Sequence, residues 1–385
     1  MRSYDATVPT ELTALVSQLV AIDSVNPSLV AGGAGEAEAA AFVADWGRAQ
    51  GLEVDVVGDP ERPSVVLRAR GTGGGRSLLL CGHLDTVGVE GMTDPHAPLI
   101  DGDWLYGRGS YDMKAGVAAA MLAARDAARR GLAGDVIVAA VADEEVESIG
   151  VQDVLRSVRA DAAVVTEPTE LEVVVAHKGF AWSEIEVTGR AAHGSRPALG
   201  VDAIVKTGPV LVALGDLDAE LAERTHPLLG RGSLHASLIE GGRELSSYPD
   251  RCVVKIERRT LPGETALDAE RELDELLARC RAADGELVAE RRTLLVRDPL
   301  EVDARHEIVQ TVRSAAATVT GAEPAVAGAS YWADSGFIAA AGIPAVLFGP
   351  GGEGAHAVEE RVSLRGAETV AQTLVEVAAR FCRGG

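Results

Sequence analysis

The sequence predicts an α/β protein: one domain with a mostly parallel sheet, interrupted by an inserted α+β two-layer domain of split βαβ layout. Three observations predict it. In the first half, short apolar runs of strand length alternate with an Ala-rich helical stretch, the pattern of a sheet buried on both faces and wrapped by helices. Near residue 180 the runs change to apolar–polar alternation, which marks a sheet with one solvated face. Buried-sheet character returns near residue 300, so the alternating block reads as an insertion. The boundaries are 1–179 and 297–385 for the discontinuous domain and 180–296 for the insert. At 385 residues the chain is long enough for two cores.

The elements follow in order. Residues 71–75 (GTGGG) turn into the apolar run 77–81 (SLLLC), and 135–141 (DVIVAAV) and 161–165 (DAAVV) repeat its character. Between the first two lies 114–130 (KAGVAAAMLAARDAARR), strongly helical by propensity. After His177-Lys178-Gly179, residues 181–188 (AWSEIEVT) alternate as a half-exposed strand. A helix is expected around 202–224, strands at 233–240 and 251–260, a helix over 265–282 and a strand over 286–295. That order, strand, helix, strand, strand, helix, strand, is the split βαβ layout. Residues 303–319 and 343–348 (IPAVLF) then return to buried-sheet character.

Composition bounds the partners. Thirty-six Lys+Arg against 58 Asp+Glu leave a net charge of −22, which argues against nucleic acid, since phosphate binding needs a cationic face. No apolar run approaches the roughly 20 residues of a membrane span. The N-terminus lacks the cationic start and unbroken apolar run of a secretory leader, so no membrane partner and a cytoplasmic location are expected. Cys81, Cys252, Cys280 and Cys382 show no CxxC pairing, which argues against a disulfide framework or zinc knuckle.

Four apolar runs end directly in polar, metal-competent residues. The first runs into His83-Leu84-Asp85, the second into Asp143-Glu144-Glu145 and the third into Thr166-Glu167. The run 346–348 leads into a Gly-rich turn ending at His356, and Asp112 sits in GRGSYDMK just before the Ala-rich helix. Taken singly, each has a plain reading: His83 a structural histidine, Glu144-Glu145 a solvated turn, Asp112 a helix cap. Their joint placement changes that, because ligands of open α/β sheets collect beyond the carboxyl ends of the strands. Carboxylates crowded without Lys or Arg repel one another and resist desolvation. Divalent metal is the natural counter-charge, and mixed His/carboxylate ligation suits zinc, cobalt or manganese rather than calcium. Two metals sharing one carboxylate would use two histidines and three acids.

With these residues assembled, the chain resembles the M20 metallopeptidase family, which includes acetylornithine deacetylase, succinyl-diaminopimelate desuccinylase, aminoacylase and glutamate carboxypeptidase. The matches run in order through CGHLDTVGV, GRGSYDMKAGVAA, VADEEVESIG, VVTEPT, AHKG, GRAAHGSRPALGVDAI, LIEGGRELSSYPD, RRTLPGET, ADSGFIAAAGIPAVLFGPG and AHAVEERV. The resemblance implies a dinuclear catalytic domain and an inserted lid and dimerisation domain. It implies that His83, Asp112 and Glu167 hold one metal and that Asp112, Glu145 and His356 hold the other, with Asp112 as the bridge. Zinc is the expected ion, with cobalt or manganese as alternatives. Asp85 would hydrogen-bond His83, and Glu144 would be the general base. A cis peptide is implied at Asp112-Met113. His193 matches a lid histidine that steadies the oxyanion in the partner subunit of dimeric members. Arg259 falls where members keep a basic group for a substrate carboxylate, and the adjacent Arg258 leaves that choice open. By position, 328–334 and 349–352 line the cleft. His96, His177, His226, His235 and His306 are left structural or on the surface, with His235 the first exception to consider.

The function that follows is hydrolysis of the amide bond in a small N-acylated amino acid, by a homodimer joined through the lid domain. VTEPT, SSYPD and RRTLPGET resemble the deacetylase and desuccinylase branch most. A carboxypeptidase or dipeptidase acting on short peptides is the alternative. A non-catalytic metal-dependent binding protein on this scaffold is the third reading, although such relatives usually lose a ligand or the base, and all six are present here. A serine hydrolase finds no G-x-S-x-G elbow.

Overall fold

Strands Leu78–His83, Val136–Val141 and Ala162–Val165 form on the apolar runs, and every residue in them is buried. The computed structural model describes residues 10–384; residues 1–9, over which the reading of the N-terminus partly runs, lie outside the described residues. The three strands pair in parallel, and Ala345–Leu347 adds a fourth parallel neighbour beside Ala162–Val165. Antiparallel strands flank this centre. Arg62–Ala69 pairs with Val136–Val141 and with Glu53–Asp59, while Val173–His177 lies beyond Ala345–Leu347.

The helix Ala115–Arg130 buries Ala118, Ala119, Ala120, Ala123, Ala124 and Ala127. Such small side chains let a helix lie close to a sheet. A Cβ on Gly116 would stand 2.2 Å from the Thr166 carbonyl oxygen, and one on Gly349 would stand 2.0 Å from that of Glu167. Neither position admits a side chain, so the strand end carrying Thr166 and Glu167 is held by close backbone approach from two segments.

Residues 303–319, expected to share the buried-sheet character, form instead the helix Glu307–Thr320. Its buried residues Ile308, Val309, Val312, Ala315 and Ala316 recur at the three- and four-residue spacing of one helix face. The apolar content is that of a buried element, and its period makes it a helix.

The chain divides into two compact units. One runs to Val175 and resumes over Val302–Ala327 and from Ala333; the other comprises Ala176–Glu301 with Gly328–Trp332. The junctions fall a few residues from the expected 179 and 297, and Gly328–Trp332 groups with the second unit. Trp332 accounts for that grouping: its Nε1 donates to the Asp298 carbonyl at 3.0 Å, and its ring meets His177 and Phe180 edge-on.

The second unit carries an antiparallel sheet in the order Ser233–Gly241, Arg251–Thr260, Gly179–Thr188, Val288–Arg297. Helices Ala203–Ala222 and Ala266–Ala283 pack Val210, Leu214, Leu273 and Leu277 against Ile185, Val187, Val254 and Ile256. Thr265 and Asp268 close a reciprocal capping box at the start of the second helix, a motif whose loss typically costs about 1 kcal/mol. Among the described residues no helix is long and apolar enough to cross a membrane, and all four cysteines are free and buried.

Candidate metal centre

The polar ends of the parallel strands meet in the first unit. His83 closes its strand, Glu144 and Glu145 follow Val136–Val141, and Glu167 follows Ala162–Val165. Asp112 lies in the turn Ser110–Lys114 ahead of the Ala-rich helix, and its peptide to Met113 is cis, as the resemblance implies. His356 comes from the loop after Gly352–Glu353 with φ of 63°, a left-handed conformation that histidine adopts more readily than branched residues.

Asp112 turns one oxygen to each histidine. Oδ1 lies 3.1 Å from His83 Nε2, and Oδ2 lies 3.4 Å from His356 Nε2. Glu145 Oε2 stands 3.2 Å from His356 Nε2, and Glu167 Oε1 stands 4.0 Å from His83 Nε2. Donor atoms of His83, Glu144 and Glu167 fall within 4.8 Å of one another, as do those of His83, Asp112 and Glu145.

The support beneath these groups differs in one atom from the expectation. His83 Nδ1 donates to the main-chain carbonyl of Asp85 at 2.9 Å, so Nε2 faces the centre, where it bonds Asp112 when protonated and offers a lone pair to a cation when neutral. The Asp85 carboxylate is 3.7 Å from that nitrogen, too far for the hydrogen bond expected of it. It accepts instead from Asn26 Nδ2 at 2.8 Å and from the amides of Glu144 and Glu145 at 3.1 and 3.2 Å. Asp85 therefore orients His83 through its main chain and holds the Glu144-Glu145 peptide through its side chain.

Sequence reasoning missed the layer behind. The same Asn26 nitrogen donates to Asp143 at 3.0 Å, and Asp143 pairs with Arg62 at 2.8 Å. Arg62 grips Glu36 with two bonds of 2.6 Å. Asn26 and Asp143 are 117 residues apart, so only the position of Asp143 beside Glu144 hinted at the network. Asp334, unassigned except as the end of the 328–334 segment, is buried, and its charge acts on both Glu144 and Glu167.

Burial pushes Glu144 and Glu167 well above the ordinary carboxylate range, with neighbouring carboxylates adding to the rise, and burial raises Glu145 as well. Asp112 goes the other way: burial opposes its charge, yet hydrogen bonds to His356 and His83 pull its pKa below the usual range. Those to Asp112 and Glu145 raise His356 to about 10. Among the described residues, none of Asp112, Glu144, Glu145 and Glu167 forms an ion pair with Lys or Arg. Four carboxylates around two imidazoles carry more negative charge than the two rings can balance, a donor set that fits two divalent cations of the zinc, cobalt or manganese type.

His193 and Arg259 belong to the second unit. His193 is exposed and its Nδ1 accepts from the Ser195 amide at 3.1 Å, so the proton sits on Nε2. Arg259 donates from Nε to Glu257 at 2.8 Å, lies over the Phe180 ring at 5.1 Å and stays partly exposed. Arg258 points into the core and pairs with Glu264 at 2.7 Å and Glu272 at 3.3 Å. Of the other histidines, His177 is buried, His226 pairs with Glu301, His306 caps Glu307–Thr320, and His235 is exposed on the edge strand.

The chain matches the model described as Peptidase family M20/M25/M40 over residues 79–380. It is 30% identical over 382 residues to the acetylornithine deacetylase of Klebsiella pneumoniae (strain 342), a match covering 94% of this chain and 93% of that one. Among solved structures it is similar to the M20 family metallo-carboxypeptidase Sso-CP2 from Sulfolobus solfataricus, with 18% identity, coverage of 97% and 99%, and a TM-score of 0.79. It is also similar to the Bacillus subtilis YXEP protein, described as a dinuclear metal binding peptidase from the M20 family, with 16% identity, coverage of 98% and 99%, and a TM-score of 0.76.

Proposed function

We propose that this chain, which belongs to peptidase family M20/M25/M40 and is a metal-dependent hydrolase of amide bonds, removes the acyl group from N-acylated amino acids. The observation that carries the deacylase reading is the 30% identity to a deacetylase along 94% of the chain. A carboxypeptidase or dipeptidase on short peptides is the second reading, favoured by the likeness to Sso-CP2.

In this reading His83, Asp112 and Glu167 hold one cation, and Asp112, Glu145 and His356 hold the other. The two oxygens of Asp112, facing different histidines, support its role as the bridge. Zinc is the proposed ion, with cobalt or manganese as alternatives. Held by these residues, two such cations would supply Lewis acidity, to lower the pKa of a water and polarise the scissile carbonyl. Glu144 is the general base: burial raises its pKa, which suits it to take a proton from the attacking water and return it to the leaving amine. Arg259, with a planar guanidinium fork, holds the substrate carboxylate, and the Nε2 proton of His193 is offered to the developing oxyanion.

The second unit is assigned as a lid and dimerisation domain. Leu238 and Ile239 are 63% and 57% exposed on the edge strand Ser233–Gly241, an edge open to pairing. Helix Ala203–Ala222 adds Val205 and Val212, each 67% exposed, interleaved with Gly208 and Gly215. Sedimentation should give a dimer; a fully active monomer would refute service of His193 to a partner's centre. A cytoplasmic location suits the four free, buried cysteines.

The deciding experiment is a panel of N-acetyl, N-succinyl and N-formyl amino acids with dipeptides, assayed after chelation and re-addition of Zn, Co or Mn. Metal-restored turnover is expected to be greatest on an N-acyl substrate. A dipeptide turned over faster than every N-acyl substrate favours the peptidase reading, and no metal-restored hydrolysis overturns both.

A further inference from the structure

Two loops that carry residues of the centre are stitched together by one buried ion pair. Arg108 and Glu360 are 3% and 1% exposed, and Arg108 Nη1 donates to Glu360 Oε2 at 2.7 Å. Each side chain reaches into the other's loop. Glu360, which follows His356 in the same loop, accepts from the amides of Gly109 and Tyr111 at 2.9 Å and of Asp112 at 3.0 Å. Arg108, ahead of Asp112 in its loop, donates through Nη2 to the carbonyl of Ala357, the neighbour of His356, at 2.8 Å. The same Nη2 reaches the Gly88 carbonyl at 3.0 Å, and the Gly107 amide meets the Glu360 carbonyl at 3.2 Å. With four N–H donors the Glu360 carboxylate has its acceptor capacity filled, three of them from the peptides that lead up to and include Asp112.

The two halves of the centre are anchored differently. His83 and Glu167 stand at the ends of fully buried strands. His356 rises from an exposed loop, with 54% of its side chain accessible. From this asymmetry we propose that Arg108 and Glu360 are positioning residues that set the separation of Asp112 and His356, and thereby the affinity of the cation these two share with Glu145. The assignment rests on the ligand roles proposed above. Neither residue touches substrate, and the effect passes through Asp112 and His356.

The test is calorimetric titration of the metal-free, full-length protein with Zn²⁺, using His356→Ala to mark the binding event that depends on that histidine. Wild type takes up two equivalents. Glu360→Gln, which turns one acceptor oxygen into an NH₂ group facing N–H donors, weakens the His356-dependent event 10- to 100-fold, in line with the typical cost of losing an outer partner of a metal ligand, and the other event, which shares only Asp112 with it, by a clearly smaller factor. Arg108→Gln acts in the same direction. Added to His356→Ala, Glu360→Gln weakens the remaining event, which still uses Asp112, by a smaller factor than it weakens the His356-dependent event on its own. Equal weakening of both events in Glu360→Gln, or no change in either, overturns the proposal. If that variant does not fold, Glu360→Asp, which keeps the charge and shortens the reach, is judged by the same selectivity. Wild-type uptake of one equivalent or none would overturn the two-cation reading itself.

Discussion

Both units bury charge, and they balance it in opposite ways. In the second unit Arg258 lies in the core between Glu264 and Glu272, and Arg224 pairs with the same two acids, so two cations meet two anions. In the first unit Asp112, Glu144, Glu145 and Glu167 gather around two histidines with no Lys or Arg paired to them. A balanced cluster is complete within the chain. Asp112 keeps its charge through the two histidines that face it, whereas Glu144 and Glu167, buried among like charges, resist ionising unless further cations arrive from outside. The difference teaches how to tell scaffold charge from working charge: both are buried, and only one is short of a partner sign. The Glu36–Arg62–Asp143 network of the first unit is intermediate in charge balance, with two acids to one Arg, and it adjoins the centre through Asn26.

The sharpest way to break this contrast is to neutralise one acid of the unbalanced cluster. Glu144→Gln is expected to lower turnover by about 10²- to 10⁴-fold, the usual contribution of a general base, while both metals stay bound. Because an amide replaces a carboxylate that burial disfavours, the melting temperature of the metal-free protein should not fall. Kinetics, metal analysis and thermal melts read all three, and normal turnover would overturn the assignment of Glu144 as the general base.

The balanced cluster should respond in the opposite sense. Arg258→Met leaves Glu264 and Glu272 with Arg224 as their cation, and is expected to cost about 3 kcal/mol in denaturant unfolding, with activity per folded molecule unchanged. A loss below about 0.5 kcal/mol would show that solvent, rather than Arg258, neutralises these acids.

A smaller effect comes from a buried group that carries no charge. Burial holds the His177 pKa down to about 4, against an ordinary 6.5. As pH falls the unfolded chain takes up this proton first. Stability from the neutral ring is therefore complete above about pH 7 and is lost progressively as pH falls toward about 4. The loss should reach about 2 kcal/mol near pH 5, and His177→Gln should flatten that part of the stability profile. An unchanged profile would mean that another group sets the acid limb.

Much of the centre was legible before any coordinates because a parallel sheet points the C-terminal ends of its strands the same way. His83, Glu144, Glu145 and Glu167 each sit at or just beyond such an end, so three apolar runs are enough to bring them together. At Glu307–Thr320 apolar content alone suggests a buried strand, and only the three- and four-residue period of its apolar positions makes it a helix. Arg258 and Arg259 were left open, although alternation already favoured an inward Arg258: Cys252, Val254, Ile256 and Arg258 share the buried face of one strand. The carbonyl of Asp85, the Asn26 amide and the Arg62–Glu36 pair had no local signal at all.

By itself the sequence determined the parallel strands, the polar residues at their ends and hence which acids and histidines cluster there, because these depend on neighbours a few positions away. Only the tertiary structure decided between like neighbours. Glu360 is buried and holds the Asp112 loop while Glu359 is exposed, and Arg258 is buried while Arg259 is not. The Asp85 carboxylate supports the Glu144-Glu145 peptide instead of the His83 ring. The physical reason is that burial and hydrogen-bond geometry are set by what arrives from elsewhere in the chain, across 252 residues in the case of Arg108 and Glu360, and no local pattern encodes that meeting.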